Sequence, residues 1–186
     1  MEIGFVAAFL VLSLAVIAEA GAKFKLHSTV FEDGKSIPTK YAYTYIPGGK
    51  NISVPLSWSG APAETKSFAL AIVDLHPIAN NWVHWFVINI PTRLPDGQEN
   101  VTSLPESAST KNMPSGSKEL YNSFSELGYG GPGPPKGSGA HKYEITLYAL
   151  KVDKIELSEN ASLTAFKKAV EGKVVATAKI IGVYER

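Results

Sequence analysis

Two apolar runs separated by a short polar segment dominate the hydrophobic pattern of the chain. Residues 67–73 are nearly all apolar, which is typical of a strand buried on both faces, and residues 82–90 are rich in β-branched and aromatic side chains, as strands are. The ionisable residues Asp74, His76 and His84 stand where the first run ends and the second begins. Because burying an unpaired charge is costly, we expect Asp74 and His84 to face one pocket that the rest of the fold supports.

Beyond these two runs, the pattern predicts several further strands. They cover residues 24–28, 54–59, 142–150 and 174–184. An extended segment is also predicted over residues 37–45, where Tyr41, Tyr43 and Tyr45 fall on one face of a period-two pattern.

One short helix is predicted near the C-terminal end. Ser162 can cap its start and Gly172 can end it, with apolar residues at helical spacing between them. Two other stretches predict loops. Residues 92–118 are polar and indicate a surface excursion, and residues 128–139 read GYGGPGPPKGSG. One helix among many strands indicates a mainly β domain.

Several short motifs together resemble one known family. They are the strand end at Asp74, the WVHW stretch at residues 82–85, the loop that ends in His141-Lys142-Tyr143, the segment NISVPLSW at residues 51–58 and the closing GVYER at residues 182–186. The combination resembles the phosphatidylethanolamine-binding protein family, and most closely its prokaryotic branch, often called Raf kinase inhibitor-like proteins. The resemblance spans residues 24–186. It implies a β-sandwich with a peripheral short helix near the C-terminus.

The resemblance also implies a ligand pocket. We expect its residues to be Asp74, His76, Trp82, His84, Gly131, Gly133, Pro134, Pro135, His141 and Tyr143. The family's pocket uses an Asp and a His at the positions of Asp74 and His84, and Trp82 would form an apolar wall. At residues 74–78 the family usually shows Asp-Pro-Asp-x-Pro, whereas this chain reads DLHPI. His76 therefore replaces a second acidic residue and would make the pocket richer in cations.

Two features of this pocket would favour an anion. A carboxylate beside an imidazole raises the pKa of the imidazole, so that Asp74 would keep His84 protonated near neutral pH. Glycines in residues 128–139 would let consecutive backbone N–H groups approach an anion and form a nest. The alternative interpretation of Asp74 and His84 is a hydrogen bond that only ties two strands together.

We therefore expect a non-catalytic binding protein that needs no cofactor and binds a small phosphate-bearing anion or a lipid headgroup. Some family members modulate or inhibit kinases or proteases, which implies a protein partner of that kind, and a homodimer is a further expectation. The competing function is a metal-dependent hydrolase, whose zinc-type ligands would be Asp74, His76, His84 and His141. A serine hydrolase is disfavoured because Ser138 lies in the Pro-rich loop rather than on a strand-to-helix elbow. A purely adhesive surface domain has no support beyond the export discussed next.

The N-terminal residues indicate export. Residues 3–18 carry no charge and are followed by Ala-Glu-Ala at residues 18–20. This pattern predicts a signal peptide over residues 1–20, cleaved before Gly21, or an uncleaved membrane anchor. Either one leaves a single domain over residues 21–186 in the periplasm, outside the cell or anchored on the outer side of a membrane.

Charge and composition narrow the remaining classes of function. The formal net charge is +1, and it becomes +3 without Glu2 and Glu19, which is too little basic excess for a general nucleic-acid binder. The chain has no cysteine, so packing rather than disulfides must stabilise it. Sequons for N-glycosylation begin at Asn51, Asn100 and Asn160.

Overall fold

The computed structural model describes residues 23–95, 97 and 100–186. The predicted signal peptide or anchor at residues 1–20 lies outside them and stays a prediction. Within the described ranges, no helix is both long enough and apolar enough to cross a membrane.

Nine strands and one α-helix make up the described fold. They are β1 (Lys25–His27), β2 (Lys35–Ser36), β3 (Leu56–Ser59), β4 (Ser67–Asp74), β5 (Val83–Pro91), β6 (Ser103–Leu104), β7 (Lys118–Glu119), β8 (His141–Leu150), α1 (Leu163–Val170) and β9 (Val174–Tyr184). The long strands and the helix lie at nearly the predicted bounds. The strands β2, β6 and β7 have two residues each, which is too short for a recognisable period.

The long strands form one large sheet. Its order is β2-β9-β8-β4-β5-β7, whereas β1, β3 and β6 form a second sheet of three strands. β4 lies inside the large sheet, antiparallel to both β5 and β8, and all eight of its residues are buried. Burial on both faces explains why this strand reads as a continuous apolar run.

The two faces of the large sheet cover two separate cores. On one face, Phe68 of β4 packs against Phe24 and Trp58 of the small-sheet side, with ring centroids 6.1 and 5.3 Å away. On the other face, Phe166 of α1 stacks on Phe86 of β5 at a centroid distance of 4.5 Å. Removing a buried phenylalanine side chain typically costs about 3–5 kcal/mol, so this stack is a main attachment of the helix. The predicted β-sandwich with a peripheral short helix is confirmed.

The helix begins and ends where its sequence signals lie. The Ser162 hydroxyl accepts a hydrogen bond from the Ala165 N–H at 3.2 Å, as an N-cap does. Gly172 follows the helix with a left-handed φ of +69°, a conformation that glycine adopts without steric cost.

The predicted extended segment at residues 37–45 is wrong. Pro38 precedes a 3-10 turn at Thr39–Tyr41, in which the Tyr41 N–H donates to the Pro38 carbonyl at 3.0 Å. The turn breaks the period-two pattern, although the Tyr43 and Tyr45 rings still lie 5.1 Å apart between centroids. Tyr41 is buried, whereas Tyr45 is about half exposed.

The predicted surface excursion at residues 92–118 is also partly wrong. β6 pairs with β3, and the Ser107 N–H donates to the Ser53 carbonyl at 3.0 Å. These contacts bring Leu104 and Ala108 into the core, where they are buried. The segment therefore covers the small sheet.

Candidate ligand-binding site

Three strand ends meet at one edge of the large sheet. Because β4 is antiparallel to β5 and β8, its last residue, Asp74, lies beside the first residues of both neighbours. His84 is the second residue of β5, and His141 and Tyr143 are the first and third residues of β8. A cavity of about 340 Å³ opens there. This volume lies within the range of about 300–1,000 Å³ that is typical of small-molecule sites.

A β-bulge places His84 at this cavity. Ile72 of β4 lies opposite Trp85 of β5, but the next residue, Val73, lies opposite Val83. His84 is therefore the extra residue of β5, and it lines the cavity. Bulges commonly re-aim a side chain beside a functional site.

Eight of the ten predicted pocket residues line the cavity. They are Asp74, Trp82, His84, Gly133, Pro134, Pro135, His141 and Tyr143, and they are joined by Tyr45, Ile78, Ala79 and Phe124. Gly131 and His76 lie outside this lining. Ligand contact stays a prediction for the whole set.

Gly131 supports the cavity wall from behind. Its N–H donates to Asn51 Oδ1 at 2.6 Å, and a Cβ atom at this position would lie only 2.1 Å from the Tyr41 carbonyl oxygen. Glycine is therefore required by the close approach of two backbone segments. His76 stacks its ring on the His141 ring at a centroid distance of 3.9 Å, so it supports a cavity residue from outside.

Asp74 pairs with His141, not with His84 as predicted. Its Oδ2 accepts a hydrogen bond from His141 Nδ1 at 2.6 Å, and its Oδ1 accepts one from the His76 N–H at 2.8 Å. Asp74 and His141 are only 3% and 1% exposed. Both carboxylate oxygens are thus already used inside the protein, where they hold the turn after β4 and the start of β8.

His84 is a neutral hydrogen-bond acceptor rather than the predicted cation. Its Nδ1 lies 2.6 Å from the Gly130 carbonyl oxygen, and because a carbonyl can only accept, Nδ1 carries the ring proton. Burial lowers the pKa of the imidazole to about 4, outweighing the Gly130 carbonyl and the Asp74 charge, which both raise it. At neutral pH, Nε2 therefore presents a lone pair, and no described residue donates a hydrogen bond to it.

Tyr143 supplies the matching donor. Its ring lies edge-on to the His84 ring at a centroid distance of 5.0 Å, and the residue is 1% exposed. The buried hydroxyl has no hydrogen-bond partner in the described part of the chain. Burial, and after it the negative charge of Asp74, raises the pKa of the Tyr143 phenol, so the hydroxyl keeps its proton. Tyr143 and His84 both line the cavity, so a donor and an acceptor that no described residue engages belong to its wall.

The Gly/Pro loop does not form the predicted nest of N–H groups. The Gly130 N–H donates to the His84 carbonyl at 2.8 Å, and the Gly131 N–H is held by Asn51. The other positions of residues 130–135, except Gly133, are prolines, which have no N–H. Within these six residues, the Gly133 N–H is therefore the one backbone donor that no described residue engages.

Comparison with known proteins identifies the family of the chain. A sequence model of the family described as phosphatidylethanolamine-binding protein matches residues 27–185. The chain belongs to the phosphatidylethanolamine-binding protein family.

Two relatives place the chain within this family. The UPF0098 protein of Methanothermobacter thermautotrophicus is 40% identical over 161 residues, which is 87% of this chain and 98% of the relative. YbcL of Escherichia coli is 34% identical over 180 residues, which is 94% of each protein. The crystal structure of YbcL, described as a new member of the mammalian PEBP family, superposes with a TM-score of 0.79 at 35% identity and covers 89% of this chain and 99% of YbcL. The predicted prokaryotic branch is therefore confirmed.

The cavity mouth of this family member is apolar. Ile78 and Trp82 are 60% and 38% exposed, and the Phe124 ring lies edge-on to Trp82 and to His84 at centroid distances of 5.3 and 5.7 Å. The lining residues that sequence reasoning missed are Tyr45, Ile78, Ala79 and Phe124. Phe124 stands in the polar stretch YNSFSEL, where no hydrophobic period marks it.

The residues of the alternative metal site already have partners within the protein. Asp74 and His141 are hydrogen-bonded, His76 is stacked on His141, and the His84 Nδ1 is held by the Gly130 carbonyl. Among the described residues, no group of three or more His, Cys, Asp or Glu side chains is arranged to hold a metal ion. The structure gives no support to the hydrolase alternative.

Asp74, His141 and Ser138 lie in contact in that order beside the cavity. The His141 Nε2 lies 3.0 Å from Ser138 Oγ, in the order of a Ser-His-Asp triad. However, the Ser138 hydroxyl donates to the Pro135 carbonyl at 2.7 Å, and Ser138 does not line the cavity. Ser138 therefore uses its hydroxyl proton within the loop, and this arrangement presents no serine nucleophile to the cavity.

Proposed function

We propose that the protein is a non-catalytic binding protein whose cavity takes the phosphate group of a small molecule or lipid headgroup. The observation that carries this proposal is the buried Tyr143 hydroxyl, which has no described partner, together with His84, whose Nδ1 is held by the Gly130 carbonyl and whose Nε2 remains as an acceptor. A buried donor without a partner costs about 1–3 kcal/mol. A ligand that satisfies both groups removes this cost on binding.

The Tyr143 hydroxyl and the His84 Nε2 together favour one protonation state of the phosphate. A singly protonated phosphate group both accepts and donates, so that one oxygen accepts from the Tyr143 hydroxyl and the P–OH donates to the His84 lone pair. The Gly133 N–H offers one further donor at the cavity wall. The Asp74 carboxylate keeps its hydrogen bonds from His141 Nδ1 and the His76 N–H and does not contact the ligand.

The apolar mouth of the cavity favours a particular kind of organic group on the phosphate. Trp82, Ile78 and Phe124 present apolar surface around the opening. An organic group carried by the phosphate would remove part of this surface from water, at about 25 cal/mol per Å² of apolar area. We therefore infer a phosphomonoester with an apolar or aromatic substituent as the preferred ligand.

Calorimetric titration with an aromatic phosphomonoester at pH 6 tests the proposal. Tyr143→Phe removes the donor and keeps the ring, so affinity should fall by about tenfold or more, the effect of one hydrogen bond to a charged group. Tyr148→Phe is the matched control, because Tyr148 lies on the same strand but contacts Phe166 on the opposite face of the sheet. Equal affinity of Tyr143→Phe and wild type would contradict the proposed site.

Export of the domain, a homodimer and a surface that modulates a kinase or protease belong to this proposal only as predictions. The predicted signal peptide or anchor at residues 1–20 lies outside the described residues. Among the sequons, Asn51 is engaged through its Oδ1 with Gly131, which favours a structural role there. Asn100 and Asn160 are exposed.

A further inference from the structure

A second groove lies beside the cavity and shares one wall with it. Its volume is about 620 Å³, and it runs between residues 80–83, the segment 121–125 and residues 160–164, which lead into the first turn of α1. Trp82 lines both the groove and the cavity. The groove is large enough for a ligand of its own.

The groove is polar but uncharged. Among the residues that the structure describes, none with an acidic, basic or histidine side chain lines it. The side-chain amides of Asn80, Asn81 and Asn160 are exposed and make no hydrogen bond to a described residue. Ser125 and Thr164 add exposed hydroxyls. Amides and hydroxyls both donate and accept, which matches a ligand whose own groups do the same.

Two aromatic rings complete the groove. Trp82 and Tyr121 are 38% and 37% exposed, more than most large aromatic side chains of this fold. Exposed rings with a polar tip combine an apolar contact face with hydrogen bonding. A ligand that suits this groove therefore has an apolar face as well as several neutral polar groups.

The backbone of the groove is held in an unfavourable conformation. Asn80, Asn81 and Ser125 have φ values of +48°, +58° and +62°, in the left-handed region. They are three of the seven non-glycine residues with positive φ among those described. Such residues each cost of order 1–3 kcal/mol and tend to cluster at binding sites. Asn80, Asn81 and Ser125 all line the groove.

We propose that this groove binds a neutral oligosaccharide. Vicinal hydroxyls of a sugar can pair with the free amides of Asn80, Asn81 and Asn160, and the C–H face of a sugar ring can lie on Tyr121 or Trp82. A nucleic acid would need basic residues at the groove. A lipid would need a continuous apolar lining. The site is separate from the phosphate cavity except for Trp82.

Saturation-transfer NMR tests the proposal with a panel of neutral di- to tetrasaccharides built from hexoses and N-acetylhexosamines. The protein is made in a host that does not glycosylate Asn160. At least one panel member should bind at millimolar concentration, with the strongest transfer to ring C–H protons. Tyr121→Ala should lower the affinity for that oligosaccharide about fivefold or more, which is the effect of losing one good contact.

Two further variants make the test decisive. Asn81→Gly keeps the left-handed backbone, because glycine adopts it freely, and removes only the amide, so it should weaken binding even if Tyr121→Ala fails to fold. Leu127→Ala is the matched control, since Leu127 is exposed and bridges to Tyr121 but does not line the groove. The proposal is overturned if no oligosaccharide binds wild type, if both groove variants bind it equally well, or if a phosphomonoester that fills the cavity displaces it completely.

Discussion

Lowering the pH from 7 to 4 is expected to destabilise the fold through His84. Burial holds the pKa of the folded His84 at about 4, below its ordinary value of 6.5. Between these values, the unfolded chain binds a proton at this residue and the folded chain does not. The contribution of neutral His84 to stability is therefore complete above about pH 6.5 and is lost as the pH falls to about 4.

The size of this loss follows from the two pKa values of His84. They differ by about 2.5, and since a difference of one is worth about 1.4 kcal/mol, the loss amounts to about 3 kcal/mol. The residue is only 3% exposed, so solvent screening reduces this figure little. A loss of this size is a large part of the roughly 5–15 kcal/mol that stabilises a typical domain.

Urea unfolding at several pH values between 7 and 4 measures the effect. His84→Asn removes the titrating ring, while the asparagine amide can still donate to the Gly130 carbonyl. Wild type and the surface control His27→Asn should each lose about 3 kcal/mol more than His84→Asn over this range. Other acidic groups titrate in all three proteins and cancel in the comparison. If His84→Asn loses as much stability as wild type, the buried neutral imidazole is refuted.

Two other predictions test the loop and the ligand. Gly131→Ala should destabilise the fold by about 1–3 kcal/mol, because the new Cβ would lie 2.1 Å from the Tyr41 carbonyl oxygen. Thermal unfolding should show this as a lowered midpoint. An unchanged midpoint would mean that the two backbone segments separate without cost. Phosphomonoester binding should weaken as the pH rises past about 6, where the phosphate loses the proton that it donates to His84. Calorimetric titration from pH 5 to pH 8 should show this decline in affinity. A constant affinity over this range would contradict the proposed hydrogen bond to His84.

The large sheet could be predicted because its signals are local. The apolar run of β4 and the cap signals at Ser162 and Gly172 lie within the elements they define. The family motifs also placed most of the cavity lining. The turn at Thr39–Tyr41 was missed because the alternation of tyrosines imitates a strand, whereas the preceding Pro38 favours the turn.

The hydrogen bonds of the site could not be predicted because they depend on non-local register. His84 is turned by a bulge that two strands create together, and it finds the Gly130 carbonyl rather than Asp74. The loop N–H groups are used by partners far away in sequence, such as Asn51 for Gly131. Residue types and spacing indicate which groups gather at the site, but not which of them stay free for a ligand.

A crystal structure of the protein soaked with an aromatic phosphomonoester tests the proposed site most directly. The phosphate should lie in the cavity with one oxygen about 2.7 Å from the Tyr143 hydroxyl and another at a similar distance from His84 Nε2. The His84 Nδ1 should keep its hydrogen bond to the Gly130 carbonyl, and the Asp74–His141 pair should stay intact. A phosphate bound elsewhere, or one that breaks the Asp74–His141 pair to reach His141, would contradict this assignment of donor and acceptor.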